Sequence, residues 1–243
     1  MRKPRTLRRR AGQAPARPDV SPAVYQRLRD LVISSRLAPG APLIEADLSS
    51  RLAASRTPIR AALRRLEQEG FVTASPVGRT LRPIVAPLTA GDLAEVFLMA
   101  GALEATAARA AAALEPVRRA ALVTELEDVV SGLEAASRPR PPDLAAVQAL
   151  EVRFHGALAA AAAGPRLRGE LDVLLPQAAR YSRAYGPAAP GALADVREER
   201  HGIIAALRAG NEELAGQGVA AQWRRALARL QPAIRMLGEQ GTW

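Results

Sequence analysis

The chain has no cysteine, only two histidines among 243 residues, and 3% aromatic residues. Without cysteine there are no disulfides, no thiolate nucleophile and no cysteine-ligated zinc or iron–sulfur centre, and the redox compartment is left open. Scarce aromatics beside 49% hydrophobic residues, mostly Ala and Leu, point to packed helices rather than sheets. A Gly-rich phosphate loop and a nucleophile elbow are both missing. So is any long apolar run: the Ala-rich stretch near 156–163 is far too short to span a bilayer.

Acid is also in short supply. With 34 basic and 24 acidic residues the formal charge is +10, so an anionic partner is expected, nucleic acid first and a membrane surface second. Residues 1–20 hold seven basic residues and one acid, which places +6 of that charge in a leading tail. No apolar segment follows those charges, as an export signal would require, so the chain reads as cytoplasmic. The tail is expected to be disordered. It either adds sequence-independent attraction to phosphates or is a solvated leader.

Past the tail, Val24, Leu28, Leu31 and Val32 recur at helical spacing until Pro39-Gly40 forces a turn. A short helix is expected around Glu45–Ala53, with Leu48 and Leu52 inward. A third opens at "SRTPIRAALRRLEQEG", where Ser55 or Thr57 can cap it and Pro58 is tolerated in the first turn. "FVTA" and "TLRPIV" then read as two strands about a turn, "SPVGR". Three helices and a hairpin form the winged helix-turn-helix pattern. Beyond "APLTAGDL", with capping-box-like spacing of Thr89 and Asp92, helices are expected over 91–114, 117–136, 142–163, 166–184, 192–209 and 212–237. Pro176 should kink or split the fourth of these. The fold class is therefore mainly α: an N-terminal winged helix-turn-helix with a small β-hairpin wing, then an all-α bundle. The expected division is a disordered basic tail at 1–20, a winged-helix domain of DNA-binding type at 21–86, a linker at 87–91 and a helical domain at 92–237, to which a family resemblance of its residues assigns effector binding and dimerisation.

On the third helix Ile59, Leu63 and Leu66 share one face, and Arg56, Thr57, Arg60 and Arg64 the other. Arginines at i and i+4 near a helix start suit the major groove, since guanidinium pairs bidentately with guanine O6 and N7. Ser55 and Thr57 could meet phosphate at the helix N-terminus, and Gly78 and Arg79 at the hairpin tip an adjacent groove or backbone. The stretch from "VYQRLRDL" to "SPVGRTL" closely resembles the winged-helix domain of GntR-type bacterial regulators over about 60 residues, with "L.PG..L.E..L", "SRTPIR.AL..LE.EG" and the wing glycine in register. The resemblance implies DNA contacts at Arg56, Arg60 and Gly78. Ala53-Ala54 stands where that family favours Gly-Val, and Ala61 where it favours Glu; both read as packing or helix-surface changes.

"EVRFHGAL", residues 151–158, puts Glu151 and His155 on one side of a helix whose neighbours Leu144, Val147, Phe154 and Leu158 look like core. Polar groups on such a face need partners, which leaves half of a metal or ligand site, or a self-satisfied pair. With "ALEATAARAAA" and "IIAALRAGN", this stretch makes residues 92–235 resemble the FCD effector domain of FadR-type regulators. Many members hold a divalent metal through an aspartate and three histidines, and through it a small carboxylate. The resemblance places those four positions at Glu151, His155, Arg200 and Gln222. Helical geometry agrees, since Arg200 lies within the roughly 100° apolar arc of Leu193, Val196, Ile203 and Leu207, and His201 points away. Arginine cannot ligate a cation and glutamine does so poorly, so no metal and no cofactor is expected. Arg200 either replaces the cation and holds an effector carboxylate, or closes a pair with Glu151.

The expected function is a sequence-specific transcriptional regulator, a homodimer on a palindromic double-stranded operator, modulated by a small organic acid and with no membrane partner. The alternatives are a ligand-independent DNA-binding protein with a closed core pair and an enzyme using Glu151 and His155. No second carboxylate is positioned with Glu151 to serve the latter.

Overall fold

A computed structural model describes residues 21–77, 80–189 and 192–242. The chain begins with α1 (Pro22–Ile33), α2 (Glu45–Leu52) and α3 (Arg56–Gln68), followed by β1 (Val72–Val77) and β2 (Thr80–Val85). Leu28, Val32, Leu48, Ile59, Leu66, Phe71 and Val85 close their common core. β1 and β2 pair antiparallel from Val72↔Val85 to Val77↔Thr80. The segment after Pro39 seats this hairpin on the helices, since Leu43 N donates to Pro83 O at 2.9 Å and Val85 N to Ala41 O at 2.9 Å. Gly78 and Arg79, like residues 1–20, lie outside the described residues.

Two sequence expectations change here. Ser55 occupies the N-cap position of α3, but neither it nor Thr57 caps the helix with its side chain, and Ser55 makes no side-chain cap bond. Ala61 is not a helix-surface residue: it is buried. Ala53 ends α2 in the left-handed region at φ +50°, where a residue with a Cβ is strained, and this accounts for the family's glycine there.

The second half holds α4 (Ala90–Ala112), α5 (Pro116–Ser137), α6 (Leu144–Ala162), α7 (Pro165–Tyr185), α8 (Ala192–Arg208) and α9 (Glu212–Leu237). All six fall within two residues of the ranges expected from sequence, because Pro or Gly marks most of their ends. α4 runs through the middle against α6, α7 and α9. Its inward stripe of Ala100, Ala108, Ala111 and Ala112 lets the backbones approach closely. At Gly101 an added Cβ would lie 2.9 Å from the Trp223 Cβ. Leu144, expected in the core, is half exposed because it opens α6 at the surface, whereas Phe154 and Leu158 are fully buried.

α7 is not split at Pro176. Proline has no N–H, so the Asp172 carbonyl four residues earlier loses its helical donor. Arg29 of α1 supplies one, with Nη2 2.6 Å from Asp172 O. Further along α7, Gln177 Nε2 donates to Glu69 O at 2.8 Å and Arg180 Nη2 to Ala86 O at 2.6 Å. One helix of the bundle thus holds three points of the N-terminal unit and the connecting segment. The connection is also tied from the far end of the chain. Leu88 and Gln240 exchange backbone bonds of 2.9 and 3.1 Å. Glu239 accepts from Ala90 N, and Gly241 (φ +80°) lies so close to the Pro39-Gly40 turn that a Cβ would meet Gly40 N at 2.4 Å. Thr89 caps α4 by accepting from Asp92 N at 3.1 Å, but the reciprocal half of the box is occupied by Tyr181. Its hydroxyl donates to Asp92 at 2.7 Å and accepts from Thr89 N at 3.2 Å.

Candidate functional site

Two clusters of polar residues stand out. The first is the exposed face of α3. Ile59, Leu63 and Leu66 are buried beneath it, so Arg56, Thr57, Arg60 and Arg64 all reach solvent, and Ser55 is exposed at the helix start. Arg60 does not project freely. Its Nε and Nη2 each donate to an oxygen of Glu45 at 2.8 Å, a bidentate pair between α3 and the first turn of α2. This bond, with the neighbouring charges of Arg60, Arg56 and Arg64, holds the Glu45 carboxyl below its ordinary range. Glu45 had not been singled out from the sequence. The signal was there, as the acid that "L.PG..L.E..L" specifies, Glu45, next to a three-arginine face.

The second cluster lies inside the helical half. Glu151 and His155 share a side of α6 but do not bond one another; each turns to a different helix. Nη2 of Arg200, from α8, donates to Glu151 Oε2. The Arg200 side chain is 1% exposed, whereas that of Glu151 is 29% exposed. The guanidinium carbon stands 4.4 Å from the centre of the Phe154 ring. That leaves Arg200 Nε and Nη1 buried with no hydrogen-bond partner among the described residues. Gln222, on α9, is buried as well, and its Oε1 has no donor. His201 faces away, 58% exposed and 3.5 Å from Glu134.

His155 has a partner that sequence reading missed. Its Nδ1 lies 2.7 and 2.8 Å from the two carboxylate oxygens of Glu104, a fully buried residue of α4. Trp223 Nε1 donates to the same carboxylate, and the Trp223 and His155 rings stand 5.0 Å apart. Glu104 was detectable as the one acid in the otherwise apolar inward stripe "ALEATAARAAA". The cluster is therefore a chain of contacts: Trp223, Glu104, His155, Phe154, Arg200 and Glu151.

These residues do not fit the divalent metal that the resemblance implies. Glu151 is engaged by a guanidinium, Arg200 offers no lone pair, and Gln222 brings only a neutral amide oxygen. Among the described residues no three His, Cys, Asp or Glu side chains are placed to share an ion. What the site offers instead is a buried guanidinium, paired on one side with Glu151, whose Nε and Nη1 have no partner among the described residues, and such donors suit an anion.

Comparison with known proteins agrees with both halves. Residues 21–81 match the family described as bacterial regulatory proteins, gntR family, and residues 95–225 match the FCD domain. An uncharacterised HTH-type transcriptional regulator from Agrobacterium vitis, in the TAR-I ttuE-ttuC' intergenic region, is 30% identical over 141 residues, covering 58% of this chain and 80% of that protein. Among solved structures, Escherichia coli McbR/YncC superposes with a TM-score of 0.68 at 24% identity, covering 86% of this chain and 96% of the other. A GntR regulator from Rhodococcus sp. RHA1 gives 0.67 at 23% identity, covering 87% and 97%. With a winged helix-turn-helix in its first third and an FCD bundle in the rest, the chain belongs to the GntR family of bacterial regulatory proteins, as a ligand-modulated transcriptional regulator.

Proposed function

We propose that this regulator binds a palindromic operator as a homodimer and that a small organic acid, held by Arg200 without a metal ion, changes its operator affinity. The reading divides the chain at the 87–91 linker into a DNA-binding unit and an effector and dimerisation unit. The observation that carries it is the Arg200 guanidinium, 1% exposed with two unpartnered N–H groups. An unmade hydrogen bond to a buried donor costs about 1–3 kcal/mol, and a carboxylate at the end of the guanidinium would satisfy Nη1 together with the second hydrogen of Nη2. Glu151 orients the guanidinium, and His155 and Gln222 line the same cluster. On the DNA side, Arg56, Arg60 and Arg64 supply base contacts, Ser55 and Thr57 phosphate contacts, and Gly78 and Arg79 the wing contact. For dimerisation, the outer face of α4 carries Leu98 and Met99, 73% and 51% exposed, an apolar strip that a second copy would cover.

The pairing of Glu151 with Arg200 and of His155 with Glu104 supports binding rather than acid–base chemistry, and a protein that reads operators acts in the cytoplasm. Among the described residues no helix is long and apolar enough to cross a membrane. Thermal-shift measurements against small carboxylates and sugar acids, followed by gel-shift titration with the active compound, test the proposal. A stabilising acid that changes operator affinity is expected. A panel in which none shifts the melt would favour the closed Glu151–Arg200 pair and a ligand-independent protein.

A further inference from the structure

The Arg60–Glu45 pair assigns a task to an acid that a DNA-binding face would otherwise be better without. Guanidinium has two usable edges: a side edge formed by Nε and Nη2, and an end formed by Nη1 and the second hydrogen of Nη2. Glu45 takes the side edge with two bonds of 2.8 Å. The end remains, with two parallel N–H groups at the spacing of guanine O6 and N7. We propose that Glu45 is a positioning residue for sequence readout: it fixes Arg60 so that only the end of the guanidinium meets a guanine. The inference rests on Arg60 reading DNA.

The physical gain is preorganisation. An arginine free in solvent gives up rotamer freedom when one geometry is imposed on it, and a pair already formed in the free protein removes part of that cost from binding. The penalty is electrostatic. A carboxylate 31% exposed on the DNA-facing side repels phosphates, and the positive charges of Arg56, Arg60 and Arg64 around it only offset this. Glu45 should therefore act in opposite directions on two quantities, weakening attraction to any DNA while sharpening choice among sequences. A residue with a purely structural role would move both the same way.

The experiment uses the full-length protein and a duplex selected by it from a library randomised over about 20 bp, two helical turns. Binding to this duplex is compared with binding to a shuffled duplex for the wild type, Glu45→Gln, Glu45→Ala, Arg60→Ala and Glu45→Gln/Arg60→Ala. Circular dichroism confirms folding, which an exposed pair should hardly affect. The expected result is that Glu45→Gln binds shuffled DNA as well as or better than the wild type, while its preference for the selected duplex falls about tenfold. The double variant should discriminate no worse than Arg60→Ala alone, because Glu45 acts through Arg60. Equal gains on both duplexes would overturn the proposal by reducing Glu45 to a repulsive charge. A loss that persists in the Arg60→Ala background would overturn it too, since Glu45 would then read a base itself. Unchanged discrimination in Arg60→Ala would instead remove the reading on which the inference rests.

Discussion

Replacing Arg200 with methionine separates a ligand-holding guanidinium from a closed ion pair by the size of the stability change and the fate of the ligand-induced shift. Breaking a buried pair by removing one partner costs about 3–5 kcal/mol, but that figure assumes the other charge stays dry. Glu151 does not, because its side chain is 29% exposed and can rehydrate. On the other side of the account, Arg200→Met removes two buried unpartnered N–H groups, each costing about 1–3 kcal/mol while unsatisfied. Methionine keeps most of the contact with Phe154. The terms nearly cancel, and the variant should sit within about 1 kcal/mol of the wild type. At about 2–4 °C per kcal/mol for a chain of this size, its melting temperature should move by no more than a few degrees. Scanning fluorimetry with and without the acids that stabilise the wild type is the assay. The variant should melt normally and lose the ligand-induced shift. A drop corresponding to 3 kcal/mol or more, with the ligand shift retained, would refute the reasoning and leave a closed pair.

Ala53→Gly relieves a left-handed residue worth roughly 1–2 kcal/mol, less about 0.4–1 kcal/mol for the unfolded-chain freedom glycine adds, so urea unfolding should show a gain of about 0.5–1 kcal/mol; a loss would mean that φ +50° is not held in solution. Leu98→Asp should turn the proposed dimer into a monomer on light scattering while costing the fold less than about 1 kcal/mol, and a persistent dimer would move the interface off α4. All three tyrosines have raised pKa values: burial and the Glu69 carboxylate push Tyr25 up from 10.0 to about 12, and burial also raises Tyr181 and Tyr185. A raised pKa stabilises the fold fully below the unfolded value and loses that contribution as pH climbs through the folded one, so stability should decline from about pH 10 toward 12. Phenolate absorbance rising fully at pH 10 in the folded protein would contradict these environments.

The exposed arginine face of α3 and most helix ends could be read from the chain because local chemistry decides them: Pro116 and Pro165 start helices, and Gly210 follows the end of another. The interior site was half legible. Periodicity placed Glu151, His155, Arg200 and Gln222 inward, but it ranks positions on one helix and says nothing about which helix answers. Glu104 went unnoticed for that reason, although it breaks an apolar stripe. Glu45 belonged to a quoted pattern, yet its bond to Arg60 depends on how α2 crosses α3. Pro176 was read as a defect of its own helix, and its consequence is met by Arg29, 143 residues before the Asp172 whose carbonyl it takes up. Nothing local announced that residues after 237 would return to Leu88.

That return changes the mechanics of the connection. A single extended strand between two units is a swivel, free to twist about its own bonds. Here the 86–90 segment lies beside Glu239 and Gln240, joined to them by one backbone bridge at Leu88 and a side-chain bond at Ala90, and this doubled connection forms a short ribbon that resists twisting. The ribbon's second strand is the continuation of α9, the helix that carries Gln222 and Trp223. Clipping the chain after Leu237 would leave the arginine face of α3 and the interior cluster in place, yet it would turn the ribbon back into a swivel. Of the other ties, the three donors between α7 and the first half would be left to set the orientation of the winged helix.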